Sequence, residues 1–413
     1  MPESDVEVVV IGGGAAGVAA AKHLHRASVR CLLVEARPRL GGRAYTVIDS
    51  SGYTLDLGCG WLHSADRNPW VRVAEEEGAA VDKTMPPWQR GTLEIGFPRA
   101  EQNDFQNAMG EFFARLEHAA QGDKDVAAAS LLEPGGRWNG LINSVGTYIS
   151  GGDLDRLSVK DFERYEDSGV NYRVFKGYGA LIGDYGADVP QRLDCPVTAI
   201  DHGGKRLRIE TSQGAIAADR AIVTVPSAVL AAGRIAFTPQ LPDKIAAARG
   251  LPLGLADKLF MSLDGAEEFE PETRLFGRTD RKGTGGYHLR PFGRPLIEGY
   301  FAGGLAADLE AGGDGAFFDF AVSELVGLFG GDFARRIKPI KVHRWAHDPY
   351  ALGSYSFALP GYADSRQILA APVDNRLFFA GEACSAHDFS TAHGGYFTGF
   401  AAAERIIAAR RKA

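Results

Sequence analysis

The sequence predicts an α/β protein in which a mostly parallel sheet is interleaved with a second, α+β region. Residues 6–11 form a β-branched run, and residues 15–26 are Ala-rich and helical, with a glycine cluster between them. A second strand is expected at Val29–Glu35, which completes a βαβ unit. Length is the other observation, because 413 residues exceed one ordinary core and so predict two domains.

Further along the chain, apolar periodicity predicts three long helices and an antiparallel insertion. Helices are expected at about Gln102–Ala120, at Ala316–Phe329 and at about Gly394–Arg411. The first of these carries an apolar stripe typical of a buried core, formed by Phe105, Met109, Phe112, Phe113 and Leu116. Short strands separated by glycines, expected to form the insertion, lie at Thr198–Ile200, Leu207–Thr211 and Ala221–Val225.

Composition restricts the possible classes of function. Lys plus Arg number 45 against 52 Asp plus Glu, and the resulting net charge of −7 argues against a nucleic-acid-binding surface. No stretch approaches the roughly 20 apolar residues that a membrane span needs. The four cysteines have no C-x-x-C spacing, so we expect neither a metal site nor a disulfide framework. A reducing cytoplasm is the expected location.

The glycine cluster after the first strand has the spacing of a dinucleotide-binding turn. Gly12 permits a tight turn, Gly14 lets the backbone approach a pyrophosphate, and Gly17 allows close packing of helix on strand. Ala16 lies in the same turn, where the amides at the helix start favour phosphate. Glu35 ends the second strand, where its carboxylate can accept both ribose hydroxyls and disfavours a 2′-phosphate.

The residues after Glu35 favour FAD over NAD. Arg37, Gly42 and Arg43 follow closely, and they bring backbone amides and a guanidinium to a second place on the pyrophosphate. A later glycine-rich segment, residues 177–183, has no β-branched strand before it and is interpreted as a loop that starts a helix. A separate NAD(P)H domain is therefore not expected, and O₂ is the expected electron acceptor.

Five segments, spread in order over nearly the whole chain, resemble the flavin-containing amine oxidase family of monoamine oxidases, polyamine oxidases and lysine-specific histone demethylases. They are the glycine fingerprint with residues 41–43, residues 56–69, residues 251–258, residues 345–356 and residues 379–396. The resemblance implies a Rossmann-like FAD-binding domain of the glutathione-reductase type, interleaved with an α+β substrate-binding domain. We assign residues 1–70, 176–250 and 350–413 to the former, and residues 71–175 and 251–349 to the latter.

The resemblance also assigns cofactor contacts beyond the fingerprint. Gly58 and Gly60 would let the backbone approach the isoalloxazine ring, with Trp61 packed nearby, and the last helix would point its N-terminus at the flavin N1–C2=O edge. The remaining contacts are assigned to Val197, Trp345, Gly381, Glu382, Thr391 and Ala392. Ser354 stands where monoamine oxidases carry a flavin-linked cysteine, so the FAD is expected to be noncovalent.

Four residues are implied in the reaction itself. Lys258 matches the lysine that reaches flavin N5 through a water, where a cation would stabilise developing superoxide. Tyr355 and Tyr396 match an aromatic cage that orients the amine. His63 stands where polyamine oxidases place a histidine beside the substrate, although a purely structural histidine stays open.

The implied reaction is oxidation of an amine C–N bond to an imine, which hydrolyses to a carbonyl compound while O₂ becomes H₂O₂. The expected partners are therefore a small-molecule amine and O₂; the sequence assigns no oligomeric state. An L-amino acid oxidase of the same fold is an alternative, with Arg173 or Arg290 as candidate carboxylate ligands. A desaturase-type flavoprotein and a noncatalytic scaffold are weaker alternatives. Acids at Glu163, Glu166 and Asp167 are candidates for holding a diamine's second nitrogen.

Overall fold

The computed structural model describes residues 6–411 and has a mixed α/β architecture, as predicted. Its strands, in chain order, are β1 Val8–Ile11, β2 Cys31–Val34, β3 Thr46–Ile48, β4 Thr54–Asp56, β5 Trp61–Leu62, β6 Val81–Asp82, β7 Tyr172–Val174, β8 Gln191–Arg192, β9 Val197–Asp201, β10 Leu207–Thr211, β11 Gly214–Ala218, β12 Arg220–Val223, β13 Ala236–Thr238, β14 Ala256–Leu263, β15 Thr273–Phe276, β16 Gly286–Leu289, β17 Leu296–Ala302, β18 Ile337–Val342 and β19 Leu377–Phe379.

The α-helices connect these strands and cover the faces of the sheets. In chain order they are α1 Ala15–Arg26, α2 Pro69–Glu76, α3 Arg99–Ala120, α4 Asn139–Ser150, α5 Val159–Glu163, α6 Tyr178–Tyr185, α7 Ser227–Ala231, α8 Pro242–Gly250, α9 Gly303–Gly312, α10 Asp314–Phe329, α11 Ser365–Ala370 and α12 Ala392–Arg410. None of the helices described within residues 6–411 is long and apolar enough to cross a membrane.

A parallel sheet draws its strands from distant parts of the chain. Its order is β19-β12-β1-β2-β8, and all four pairings are parallel. Strand β1 reads Val-Val-Val-Ile and is buried throughout, as expected where helices cover both faces of a parallel sheet. The βαβ unit is confirmed: β1 ends at Ile11, α1 begins at Ala15, and β2 pairs with β1 along its whole length.

The predicted antiparallel insertion needs one correction. Strands β9 and β10 pair antiparallel as expected, and β11 completes their hairpin. The strand expected at Ala221–Val225 instead joins the parallel sheet, as β12 between β1 and β19. The reason is burial on both faces: Ala221, Ile222 and Val223 are all buried, whereas a strand with one solvated face would alternate.

The second large sheet is antiparallel and has the order β15-β16-β17-β14-β18. Register places Phe276, Gly286, Tyr300 and Lys258 side by side across four strands. Two residues along, Arg274, His288 and Glu298 form a neighbouring row. Alternate residues of a strand point to the same side, so both rows lie on one face of this sheet.

Helix α3 forms a wall opposite that face. The predicted apolar stripe is buried at Phe105, Met109, Phe112 and Leu116, and it packs with α4 and with Phe276 of the sheet. One edge of the stripe, including Phe105 and Met109, also lines the large cavity of the molecule. The stripe therefore serves as core and as cavity wall together.

Helices α1 and α12 cross at very short range, and glycines permit it. Gly395 and Gly399 of α12 lie against Ala15 and Ala16 of α1, and a Cβ atom at Gly399 would come within 2.0 Å of the Ala16 carbonyl oxygen. The first and last helices of the chain are thereby held together beside β1.

Gly399→Ala is expected to destabilise the fold, because the new methyl group meets backbone that cannot move aside cheaply. Overpacking of this kind costs about 1–3 kcal/mol or more. Gly110→Ala is the matched control, since Gly110 lies in helix α3, is exposed, and has nothing within 4 Å of its added Cβ. Thermal unfolding should show a lower midpoint for Gly399→Ala and an equal or higher one for Gly110→Ala. Equal unfolding midpoints for both variants would contradict the close contact of α1 and α12 at Gly399.

Candidate functional site

A single cavity of about 1360 Å³ runs from the carboxyl ends of β1 and β2 to the antiparallel sheet. This volume exceeds the ~300–1,000 Å³ typical of sites for one drug-sized ligand. The cavity therefore has room for a large cofactor together with a second, smaller molecule. Most of the residues singled out in the sequence line it.

At one end, the glycine turn between β1 and α1 opens the backbone to the cavity. Gly12 has φ +106°, a conformation that favours glycine, and Gly12, Gly14 and Ala16 line the cavity. Helix α1 begins without a side-chain cap, which leaves amides of its first turn available to an anion. Gly17 does not line the cavity; a Cβ there would lie 1.8 Å from the Gly12 carbonyl oxygen. It allows packing only, as predicted.

Glu35 sits beside this turn at the end of β2. Its carboxylate accepts hydrogen bonds from the amides of Gly13 (2.5 Å) and Arg37 (2.9 Å), and it lines the cavity. The Arg37 guanidinium donates to Asp348 at 2.5 Å. Burial alone would raise the pKa of Asp348, but His343 and Arg37 outweigh it and hold that pKa at about 2.

Arg43 and Glu382 join the N-terminal and C-terminal motifs. The Arg43 guanidinium donates to Glu382 Oε1 at 2.8 Å and to the Ser354 carbonyl at 2.7 Å. Glu382 also accepts from Ser356 Oγ (2.6 Å) and from the Ser390 amide (2.9 Å). Burial opposes ionisation of Glu382, but Arg43 and Ser356 overcome it, so its pKa lies below the usual value.

The middle of the cavity is lined by residues expected near a flavin ring. Among them, Gly58 has no room for a side chain, since its Cβ would lie 1.9 Å from the Arg43 carbonyl oxygen and 2.9 Å from the Trp345 ring. Thr391 caps helix α12 by accepting from the Gly394 amide, so that helix starts at the cavity wall. The other predicted contacts that line the cavity are Arg37, Gly42, Arg43, Gly60, Trp61, Val197, Trp345, Gly381, Glu382 and Ala392.

Lys258 lines the cavity from strand β14 and is only 6% exposed. Its ammonium lies 3.1 Å from Glu298 Oε1, on the neighbouring strand β17. Burial would lower the pKa of Lys258, but Glu298 and Asp56 more than compensate and raise it above the ordinary value. The raised pKa favours the charged form of Lys258, whose Nζ would lie 3.3 Å from a Cβ added at Gly60.

A group of tyrosines encloses the cavity next to Lys258. The Tyr355 hydroxyl donates to the Tyr148 carbonyl at 2.7 Å, which leaves it to accept from the Tyr300 hydroxyl at 3.0 Å. Tyr148 and Tyr300 pack edge to face, with ring centroids 5.7 Å apart. All three residues line the cavity, and the part of it beside Tyr148, Tyr300 and Tyr355 is called the tyrosine chamber below.

The structure corrects the prediction for Tyr396. Its side chain lies in the core beside the parallel sheet, packed edge-on against Trp70 and stacked on Phe400, and it is absent from the cavity wall. Residues on an α-helix are about 100° apart around the axis, so Gly395 faces the cavity and Tyr396 faces away from it. Tyr355 is paired with Tyr300, and no cage is formed with Tyr396.

His63 lines the cavity at the side of Trp61 and Trp88. Its Nδ1 donates to Asn171 Oδ1 at 2.6 Å, which leaves Nε2 as the acceptor in the neutral ring. Burial lowers the pKa of His63 despite that hydrogen bond. The Trp61 and Trp88 rings meet edge to face at 4.5 Å.

The remaining candidate substrate ligands are acids and arginines, of which some line the cavity and others do not. Asp167 reaches the cavity at an exposed rim, whereas Glu163 and Glu166 do not line it. Arg173 is bound by Asp82 and Glu272, away from the cavity wall. Arg290 likewise does not line the cavity and donates to the carbonyls of Phe269 and Gly293. Neither arginine can serve as the carboxylate ligand proposed for an amino acid oxidase.

Sequence reasoning missed Glu298, Tyr300, Tyr148 and Trp88. Tyr300 and Glu298 are brought to Lys258 by the pairing of β14 with β17, in which Lys258 lies opposite Tyr300. The aliphatic and aromatic residues within 296–302 would have been the available signal for a strand, though not for its partner.

The fold and cavity define a protein built for a nucleotide cofactor beside a second, aromatic binding chamber. The family model "Flavin containing amine oxidoreductase" matches residues 15–407, and the chain belongs to that family. Its cofactor is FAD. The family match was the expectation drawn from the five sequence segments, and it is confirmed.

Curated relatives cover almost the whole chain. Polyamine oxidase 5 of Oryza sativa subsp. japonica is 30% identical over 97% of this chain and 87% of its own length. Polyamine oxidase 2 of Arabidopsis thaliana is 29% identical over 96% of this chain and 87% of its own length. Lysine-specific histone demethylase 2 of Homo sapiens is 26% identical over 97% of this chain but only 53% of its own length.

The residues present fit FAD. Backbone rather than side chains forms the wall at Gly12–Gly14 and at Gly41–Gly42, and no atom lies nearer than 3.9 Å to a Cβ built on Gly14. A carboxylate at Glu35, a cation at Arg43 and the capped start of α12 all line the same cavity. This sequence of groups suits ribose, pyrophosphate and the electron-rich edge of a flavin.

Glu382→Gln should weaken both the fold and retention of FAD, because it leaves the Arg43 guanidinium without its carboxylate in a mostly buried place. Breaking a buried pair costs about 3–5 kcal/mol. Glu268→Gln is the control, since it removes an exposed Arg336–Glu268 pair of similar length (2.9 Å), worth about 0–1 kcal/mol. The measurements are the unfolding midpoint and the flavin-to-protein absorbance ratio after desalting. A Glu382→Gln protein that keeps both values would refute the role of the pair.

Proposed function

We propose that this protein is an FAD-dependent amine oxidase that converts a primary or secondary amine to an imine. The amine loses two electrons and two protons, the imine hydrolyses to a carbonyl compound, and O₂ takes up the electrons and protons as H₂O₂. Bound FAD would supply the redox chemistry that carries the electrons from the amine to O₂. The observation that carries the proposal is a buried, carboxylate-paired Lys258 in the same cavity as the nucleotide-binding turn and the tyrosine chamber.

The distribution of strands between the two large sheets supports a Rossmann-like FAD-binding domain interleaved with a substrate domain. We assign residues 1–70, 176–250 and 350–413 to the first and residues 71–175 and 251–349 to the second. All five strands of the parallel sheet come from the first set, and all five strands of the large antiparallel sheet come from the second.

The cofactor is held without a covalent link, and the Ser354 hydroxyl is occupied by the Ala256 backbone.

The tyrosine chamber binds and orients the amine. Hydrogen bonds fix the hydroxyls of Tyr355 and Tyr300 and so limit the motion of their rings, which offer π-electron density to an ammonium or an amine. Fixing the amine nitrogen and its α-carbon in one orientation removes most of the entropic cost of reaching the reactive geometry. Phe105, Met109 and Phe113 of α3 add apolar surface to the same cavity.

Lys258 supplies a fixed positive charge where O₂ gains electrons. Its carboxylate partner, Glu298, keeps the ammonium in place and protonated, and the charge is already oriented before the reaction begins. Such preorganised charge is among the largest contributions that a protein makes to catalysis.

Under argon, a panel of amines should bleach the flavin absorbance, and admission of air should restore it with release of H₂O₂. The bleaching rate should rise with pH through the pKa of the substrate amine, which must lose its proton. The protein contributes little to this profile above about pH 7: the pKa of Lys258 is raised, so it stays charged, and that of His63 is lowered, so it stays neutral. An absence of bleaching by every amine tested would refute the assignment.

Lys258→Met should slow reoxidation of the reduced flavin by O₂ by about a hundredfold, the size expected for loss of one preorganised charge. Lys22→Met is the control, because Lys22 is also mostly buried and paired with a carboxylate, Asp188, but lies outside the cavity. A Lys258→Met/Glu298→Gln protein removes the stranded carboxylate and should remain slow. Stopped-flow mixing of reduced protein with oxygenated buffer measures the rate. An unchanged rate in both Lys258 variants would contradict the role of the cation.

A further inference from the structure

Arg274 is a cavity-lining cation that has no carboxylate partner among residues 6–411. It lies on β15, and its guanidinium sits over the ring of Phe276, 4.6 Å from the centroid. Burial lowers the pKa of Arg274, and the Tyr148 hydroxyl opposes that effect only in part. The side chain has neither an ion pair nor a side-chain hydrogen bond within the described part of the chain.

Four other enclosed arginines of the cavity and core are paired with carboxylates. Arg37 is bound by Asp348, Arg43 by Glu382, Arg173 by Asp82 and Glu272, and Arg366 by Asp161. Enclosing a guanidinium without an anion costs free energy. Four further arginines also lack a carboxylate partner, but each donates to at least one backbone carbonyl: Arg39, Arg90, Arg290 and Arg294. Arg274 has neither a carboxylate nor a carbonyl partner for its guanidinium within residues 6–411, and it lines the cavity.

The neighbours of Arg274 cannot supply the missing anion. In its row on the sheet, His288 is held by Glu272, and Glu298 is held by Lys258. Glu324 is engaged by Tyr287, Thr284 and the Gly285 amide. An anion bound in the cavity would supply the partner that these neighbours do not.

Register gives the position of this cation relative to the reacting end. Arg274 lies on β15, two strands from Tyr300 on β17, and neighbouring strands are about 4.8 Å apart, so the separation across the sheet is about 10 Å. The rings of Phe276, Tyr148 and Tyr300 span that interval, with centroids 6.5 Å and then 5.7 Å apart. An apolar corridor thus connects the tyrosine chamber with Arg274.

We propose that Arg274 binds a carboxylate at the far end of the substrate, so that the substrate class is a linear amino carboxylate with several carbons between its two charged ends. The inference rests on the proposed amine oxidation and specifies its substrate. A planar guanidinium matches a carboxylate in charge and in geometry. An α-amino acid is too short to reach both ends, and a polyamine would place a cation against Arg274.

The direct test uses caproate, a carboxylate without an amine, as the probe on the FAD-loaded protein. Caproate should perturb the flavin absorbance spectrum on titration and should compete with amine substrates. Arg274→Met should weaken its binding about 10- to 100-fold, and Arg274→Lys should weaken it less. Arg99→Met is the control, because Arg99 also lines the cavity but is exposed and paired with Glu94. Equal binding by wild type and Arg274→Met would overturn the proposal.

The substrate arm compares ε-aminocaproate with a diamine of similar length, spermidine and L-leucine. The aminocarboxylate should have the highest kcat/KM, and Arg274→Met should raise its KM while leaving the KM of the diamine equal or lower. A preference for the diamine or spermidine that is unaffected by Arg274→Met would also overturn the proposal. Because the variant removes an unpaired charge, its unfolding midpoint should equal or exceed that of the wild type, which separates loss of binding from loss of fold.

The two proposals fail in different ways. If no amine bleaches the flavin but caproate binding depends on Arg274, amine oxidation is wrong and the carboxylate site stands. If amines bleach the flavin but caproate binding ignores Arg274, amine oxidation stands and the carboxylate site is wrong.

Discussion

The ion pair between Arg43 and Glu382 is the contact on which the organisation of the site depends. It joins residues 339 positions apart and so fixes the end of the first βαβ unit to the loop before the last helix. Glu382 continues the network through Ser356 to Arg366, whose guanidinium is bound in turn by Asp161. Asp161 also accepts from the Ala358 amide, so helix α5 is tied to the same group of residues.

Such a buried network is stable only when every member is satisfied, since each unpaired charge would cost several kcal/mol. Its members come from the N-terminal, central and C-terminal segments, so no continuous piece of chain can complete it. The cavity is therefore formed only when the whole chain has folded. The close crossing of α1 and α12, made possible by Gly399, brings the same distant segments together from the other side of the sheet.

Features that depend on neighbouring residues could be predicted from the sequence, whereas features that depend on distant residues could not. The turn at Gly12–Gly17 and the strand ending at Glu35 depend on neighbouring residues, and their geometry agrees with the prediction. Tyr355 was found through its motif, but its partner Tyr300 depends on strand register, which is set by contacts far apart in the chain. Tyr396 was misplaced because a motif fixes position along a helix without fixing which face meets the cavity. The same limit applies to β12, whose sheet is decided by its distant partners β1 and β19.

Charge is distributed unevenly along the cavity, so its two ends favour groups of different charge. At the reacting end the ammonium of Lys258 is offset by Glu298, so a second cation can approach the tyrosine rings without strong repulsion. At the opposite end the charge of Arg274 has no offset within residues 6–411, and an anion is favoured there. Between them lie aromatic rings, which favour methylene groups over water. A molecule with a nitrogen at one end, a carboxylate at the other and carbon between them matches this order in only one orientation. Under the proposed function, that orientation would present its amine to the bound flavin.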